Sequence, residues 1–306
     1  MRDDSALPRG FIINRRYEIA QFLGQGGFGI TYAARDLSSG TIHALKEFFP
    51  ADLAVRRSNG SVGMRPGKEQ LFNKFLDGFV VETEHLSSFD HPNIVAVLSR
   101  FGANGTAYFA MEYLPGATLH DEVARQGPLP APAVSLIGEN LIAAVKTIHD
   151  QDVIHRDIKP GNIVLGDVVV ARHTHVENVP HDQKLRYGMP VLLDFGAARV
   201  LRHDGRQMTM LASPKFAAPE QFDESARQDK RLDIYGLAAT LYFCLSGAAL
   251  PSAKERASGH KIEPAAVRFA NRAPRRRLQA IDKALELDPA KRYQTIRDFR
   301  EDFLSP

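Results

Sequence analysis

Hydrophobic and polar residues alternate over Tyr17–Leu23, which predicts a strand, and Ile30–Ala34 and Thr41–Lys46 read as a second and a third. Val95–Phe101 and Ala107–Tyr113 read as two more. Between them the period lengthens. Phe75, Phe79, Leu86 and Phe89 line one side of a stretch from Phe72 to Phe89, the mark of an amphipathic helix. Leu119–Gln126 and Ala131–Asp150 are predicted helices, the second with Val134, Ile137, Leu141, Ile142, Val145 and Ile148 at helical spacing. Ile163–Leu165 is a short β-branched strand, and most of the chain beyond residue 220 reads as helix. Ile234–Leu250 is 17 residues without a charge, at the short edge of a membrane span. Thr240, Ser246 and Gly247 interrupt it and Pro251 ends it, so it is predicted to be a buried helix of an α-rich lobe. Residues 1–16, polar with Pro and Gly, are expected to form a flexible lead-in.

Composition narrows the class. The chain has 306 residues, 44% hydrophobic and 25% charged, enough to fill the core of one large domain. A net charge of +3 is too weak to argue for nucleic acid, and Arg275–Arg276–Arg277 reads as a solvated face. The single Cys244 allows no internal disulfide, and Met1–Ser5 lacks the apolar core of a signal peptide. A reducing, cytoplasmic setting is expected.

Three stretches carry chemistry. Gly24-Gln25-Gly26-Gly27-Phe28-Gly29 lies between two predicted strands, so it is a hairpin turn whose N–H groups can approach phosphate oxygens without an intervening Cβ. Alone it would equally be a mere tight turn. Lys46 ends the third strand, and a lysine on a half-buried face needs a counter-charge. Glu82 and Glu84, on different faces of the predicted helix, are the candidates. His155-Arg156-Asp157-Ile158-Lys159-Pro160-Gly161-Asn162 then sets an acid, a lysine and an amide within six residues, and Asp194-Phe195-Gly196 follows. A positioned acid, a cation and metal-ligating oxygens are the parts of a phosphoryl-transfer site.

These motifs, in this order, resemble the eukaryotic-like Ser/Thr protein kinases. The resemblance runs from about residue 17 to 303 and includes Ala218-Pro219-Glu220, Asp233 and Arg292. It implies an α+β, bilobal fold: a small antiparallel sheet with one helix over about 17–111, a hinge at 112–116 and a larger, mainly helical lobe over about 117–303. It implies ATP and Mg²⁺, with Mn²⁺ as a substitute. Leu23, Gly24, Gly26, Gly27, Phe28, Gly29, Thr31, Ala44, Lys46, Met111, Glu112, Leu114 and Val164 would surround the nucleotide, with Glu112 and Leu114 offering main-chain groups to adenine. Glu82, ten residues before Pro92, keeps the family's offset and is favoured over Glu84 as the partner of Lys46. Asp157 would be the base, Lys159 would neutralise the γ-phosphate, and Asn162 and Asp194 would hold the metal. Thr209 stands where the activating phosphate usually lies, Arg156 would pair with it, and Ser213 would contact Asp157 and Lys159. His155, Phe195, Asp233 and the Glu220–Arg292 pair would be structural. Lys159 favours Ser/Thr over Tyr acceptors in protein substrates, and autophosphorylation would bring two copies together transiently. No membrane contact by this chain is expected.

The sequence departs from the family in three places. Between Lys46 and Glu82 lie 35 residues, more than usual, and 47–75 reads as loop and turn. With Gly-Gly-Phe-Gly in the nucleotide loop and Lys-Glu-Phe-Phe-Pro after the lysine, this points to a bacterial branch. Asn162 and Asp194 are 32 positions apart, and the extra segment, about 166–190, carries His173 and His175. That is metal-like spacing without a second firm pair, so a solvated loop is expected. Thr31 replaces the customary Val. Two other functions share the motifs: a pseudokinase that binds without catalysis, and a small-molecule phosphotransferase. Lys46, Asp157, Asn162 and Asp194 weigh against the first; Ala-Pro-Glu and Lys159-Pro160 weigh against the second.

Overall fold

The computed structural model describes residues 5–166, 189–193, 214–223 and 225–305. They form two compact units, one running through Phe89 and over Ala96–Leu114, the other comprising Asp90–Val95 and the chain from Pro115 on. The architecture is α+β, a curled antiparallel sheet with one helix followed by a mainly helical unit.

The first unit is built on a six-stranded sheet in the order β1-β2-β3-β4-β8-β7. The strands are β1 (Ile12–Ile13), β2 (Tyr17–Gln25), β3 (Gly29–Asp36), β4 (Ile42–Phe48), β7 (Val97–Ala103) and β8 (Thr106–Glu112), every neighbouring pair antiparallel. Alternation along β4 decides what each face carries. Ala44, Lys46 and Phe48 point one way, where helix α1 (Glu69–Leu86) packs. Phe48 meets Phe72 and Phe79 at ring separations of 5.2 and 5.4 Å, and Phe79 meets Phe109 at 5.3 Å. Each such phenylalanine contributes about 1.5–3 kcal/mol by leaving water. The helix starts three residues before the predicted Phe72 and ends before Phe89. Ser87 caps it, and Phe89 is buried beyond its end, so the apolar period outlasts the helix.

The opposite face of β4 carries Leu45 and Glu47, and here two expectations are corrected. Residues 5–16 are not a loose lead-in. Leu7 and Ile13 are buried, Gly10 donates to the Ile19 carbonyl, and Ile19 donates back to Phe11. The stretch 47–75 is not merely loop: Ala54–Arg56 (β5) and Val62–Met64 (β6) form a hairpin of their own. Val62 donates to the Asn104 carbonyl at 2.7 Å, which ties the hairpin to the β7–β8 turn. Neither was legible because both depend on contacts with distant strands.

In the second unit, α3 (Ala131–Asp150) packs beside α4 (Arg231–Ser246) and α8 (Ile296–Leu304); α7 (Arg275–Ala284) covers α4 and α8. Helix α4 is buried continuously from Leu232 to Leu245, which is why its sequence from Ile234 on carries no charge. Gly247, at φ +74°, closes it by donating to the Phe243 carbonyl. Helix α3 is long and apolar enough to cross a membrane by composition, but its apolar positions pack inside this unit. A small sheet in the order β11-β10-β9, Met189–Leu192, Ile163–Gly166 and Gly116–Thr118, borders the loop that precedes it.

Candidate active site

In the first unit the glycine segment bridges β2 and β3 as a hairpin, as its flanking strands predicted. Cβ atoms built on Gly24 and Gly26 would meet nothing within 4 Å, so their backbone lies open to a ligand. Gly29 differs: a Cβ there would lie 2.5 Å from the Glu47 carbonyl oxygen, so the turn closes against β4 only with glycine. Thr31 pairs with Lys46 across the ladder, and Ala44 pairs with Met111. Met111 and Ala44 are buried, whereas Leu23 is exposed. The Glu112 N–H is taken by the Ala96 carbonyl at 3.0 Å, so a base docking at Glu112 would find its carbonyl. Leu114 closes this unit.

The Lys46 ammonium stands 5.8 Å from the centre of the Phe109 ring, on the helix-facing side of the sheet. Phe79 packs on that same ring, and Glu82 is one turn further along α1, buried. Glu84 turns outward with 55% of its side chain exposed and pairs with Arg100 at 3.2 Å. Of the two glutamates weighed from sequence, only Glu82 faces the sheet that carries Lys46.

In the second unit the loop from His155 to Asn162 is held from three sides. Asp233, on the first turn of α4, is fully buried and accepts from the Arg156 N–H at 2.7 Å, the His155 N–H at 2.8 Å and His149 Nε2 at 2.9 Å. Burial alone would raise the Asp233 pKa. The bond from His149, the charges of His149 and His155, and the His155 N–H outweigh it and hold the carboxyl below its ordinary range. Gln221 donates to the Arg156 carbonyl at 2.9 Å. These contacts keep Arg156 at φ +69°, a left-handed conformation that costs about 1–3 kcal/mol in a non-glycine residue. A Cβ on Gly236 would come within 2.9 Å of the Ile158 carbonyl, so α4 reaches the loop only because that position is bare.

The result is a compact polar cluster. Lys159 Nζ donates to Asp157 Oδ2 at 2.7 Å, and Asn162 Nδ2 donates to the same oxygen at 2.8 Å and to the Asp157 carbonyl at 3.0 Å. The Asn162 nitrogen is thus committed to Asp157 and its amide oxygen is directed elsewhere, the arrangement a hard divalent cation requires. His155 is buried, with Nε2 3.0 Å from the Leu193 carbonyl, a packed residue and not a base. Val164 is buried in β10. Arg156 is desolvated: burial lowers its pKa, against the charge of Asp233. Arg292 grips Glu220 through two bonds of 2.6 and 2.9 Å, both side chains buried. Asp194, Phe195, Thr209, Ser213 and most of the long segment with His173 and His175 lie outside the described residues.

Sequence reasoning missed His149, Gln221 and Gly236. His149 looked like one more residue of an amphipathic helix, and nothing in its spacing announces a bond to a residue 84 positions away. Gln221, directly after Glu220, gave a faint signal as a polar residue at the end of a motif.

Residues 17–303 match the family model of the protein kinase domain. The chain is 29% identical over 298 residues to the serine/threonine-protein kinase PrkC of Bacillus subtilis, covering 95% of this chain and 40% of that protein. It is 29% identical over 308 residues to PknB of Mycobacterium tuberculosis, covering 95% and 43%. Among solved structures, PpkA-294 in its apo form superposes with a TM-score of 0.79 at 31% identity, covering 98% of this chain and all of that one. The PknI kinase domain of Mycobacterium tuberculosis superposes at 0.66 with 22% identity, over 97% and 98%, a likeness of fold. The chain belongs to the protein kinase family. The two relatives named here are bacterial Ser/Thr kinases, and the chain spans about two fifths of their length.

Proposed function

We propose that this chain catalyses ATP- and Mg²⁺-dependent transfer of the γ-phosphate to Ser or Thr hydroxyls of proteins, its own activation segment included, in the cytoplasm. The observation that carries this is the Asp157 cluster: one carboxylate oxygen held by both Lys159 and Asn162. Asp157 orients the acceptor hydroxyl and takes its proton, an effect worth about 10²–10⁴-fold. Lys159, within reach of that carboxylate, neutralises charge on the transferring group. Bound ATP would supply the phosphoryl group, and a divalent cation would screen its oxygens. Asn162 and Asp194 would hold the cation, and the bare glycines of the β2–β3 turn would take the phosphates. Lys46, kept in place by Glu82, would orient them.

Arg156 supports the regulatory half of the reading. A desolvated guanidinium is stabilised by a further anion, and a phosphate on Thr209 would provide one. Incubation with labelled ATP and Mg²⁺, followed by mass mapping, is the test. Label on Ser or Thr, including Thr209, is expected, with loss of transfer but retained nucleotide binding in Asp157→Ala. Turnover retained in Asp157→Ala would remove it as the base. An unmodified Thr209 together with a fully active Thr209→Ala would refute the regulatory role.

A further inference from the structure

The most unusual polar feature lies on the face of β4 opposite to Lys46. The Glu47 carboxylate is fully buried there and carries four donors. Arg56, from the inserted hairpin, grips it through Nη1 at 2.7 Å and Nη2 at 2.5 Å. The hydroxyls of Tyr108 and Tyr32 donate to its two oxygens at 2.5 and 3.0 Å. Arg56 also donates from Nε to the Ser5 carbonyl at 2.7 Å and from Nη1 to the Gly60 carbonyl at 3.0 Å, and lies 4.6 Å over the Phe49 ring. Leu7 donates its N–H to the Tyr32 hydroxyl at 3.0 Å. The N-terminal strap and the hairpin are therefore joined to the sheet through one carboxylate. Phe11 of the strap packs on Gly60, where a Cβ would come within 2.6 Å of its ring.

A buried ion pair is a poor source of net stability, because desolvating both charges offsets most of their attraction. Its use here is geometric. Glu47 adjoins Lys46, and its carbonyl oxygen is the atom against which Gly29 closes. Alternation sends the two neighbouring charges to opposite faces, so the layer that holds Glu47 outward holds Lys46 inward. Without Arg56 the carboxylate would have to leave the interior or draw in water, and β4 is the strand that would move.

Resting on the kinase reading above, we propose that Arg56 is a positioning residue: acting through Glu47, it sets the level of β4 and hence the placement of Lys46 and the glycine turn. The strap and hairpin are then a working part of the nucleotide-binding unit.

The test compares wild type with Arg56→Met, Arg56→Lys and Tyr108→Phe at a temperature well below unfolding. Steady-state kinetics are read beside hydrogen exchange of the 29–31 and 44–47 amides. Arg56→Met should lose about 10- to 100-fold in kcat/KM for ATP, the scale of an ångström-level misplacement. Its KM for the protein substrate should stay within twofold. Exchange in β3 and β4 should quicken. Arg56→Lys, which keeps the charge but not the fork, should recover part of the loss. Tyr108→Phe, a mild change, should show the same pattern at smaller size. If Arg56→Met only lowers the melting temperature, with ATP kinetics and β3–β4 exchange unchanged, Arg56 merely holds the hairpin and the proposal is overturned. If wild type transfers no phosphate, the kinase reading fails, and the exchange result still decides whether Arg56 governs β4.

Discussion

Replacing Asp233 with asparagine isolates the contact on which the catalytic loop hangs. The carboxylate has no exposed surface, and its two oxygens accept from three donors: the Arg156 N–H, the His155 N–H and His149. An amide offers one oxygen. If that oxygen keeps His155 and His149, the NH₂ group faces the Arg156 N–H, donor against donor. Orphaning a buried N–H costs about 1–3 kcal/mol, and the two surviving bonds fall from charge-assisted to neutral strength, about 1 kcal/mol each. A neutral amide is cheaper to bury than a carboxylate, which offsets part of this. The expected net loss is about 2–4 kcal/mol, or a melting temperature lower by roughly 3–6 °C. The sign with pH follows from the depressed pKa. A carboxyl whose folded-state pKa lies below its unfolded value of about 3.9 contributes its full stability above that value and loses it as pH falls through the folded one. The part of the gap between wild type and Asp233→Asn that the carboxylate itself supplies should therefore narrow below about pH 4. Melting temperatures across a pH series, with phosphoryl transfer at pH 7, are the assay. The loss of activity should exceed that of stability, because Arg156 at φ +69° would relax and shift the backbone leading to Asp157. A variant that melts within 1 °C of wild type at pH 7 would refute the reasoning, as would a gap that keeps widening below pH 4.

Two further substitutions test the frame. Glu220→Gln leaves the buried Arg292 guanidinium without its carboxylate and should cost about 3–5 kcal/mol by denaturant titration, whereas Glu220→Leu with Arg292→Met should recover part of it. Glu82→Gln should depress phosphoryl transfer at least tenfold while Glu84→Gln leaves it within twofold, because only Glu82 is buried against the sheet. Steady-state rates of both variants decide it, and equal losses would remove the assignment.

Much of the site was readable from sequence because the polypeptide itself delivers it. Asp157, Lys159 and Asn162 lie within one six-residue turn, so their convergence needs no distant partner. The strands of the first unit were readable because alternation follows from half-burial, and α4 because complete burial leaves its run from Ile234 on without a charge. What only the tertiary structure decided are pairings across long separations. Periodicity says that Glu82 and Glu84 lie on different faces, but not which face meets the sheet; Phe79 on Phe109 decides that. It says that Asp233 begins a buried helix, but not that it holds a loop 77 residues earlier. Above all, Lys46-Glu47 in a strand must send one charge each way. Where Glu47 goes depends on Arg56, Tyr32 and Tyr108, and on a strap that composition marked as loose. The physical reason is the same throughout. Local pattern records whether a residue is buried, while the identity of its partner is set by chain segments that only folding brings together.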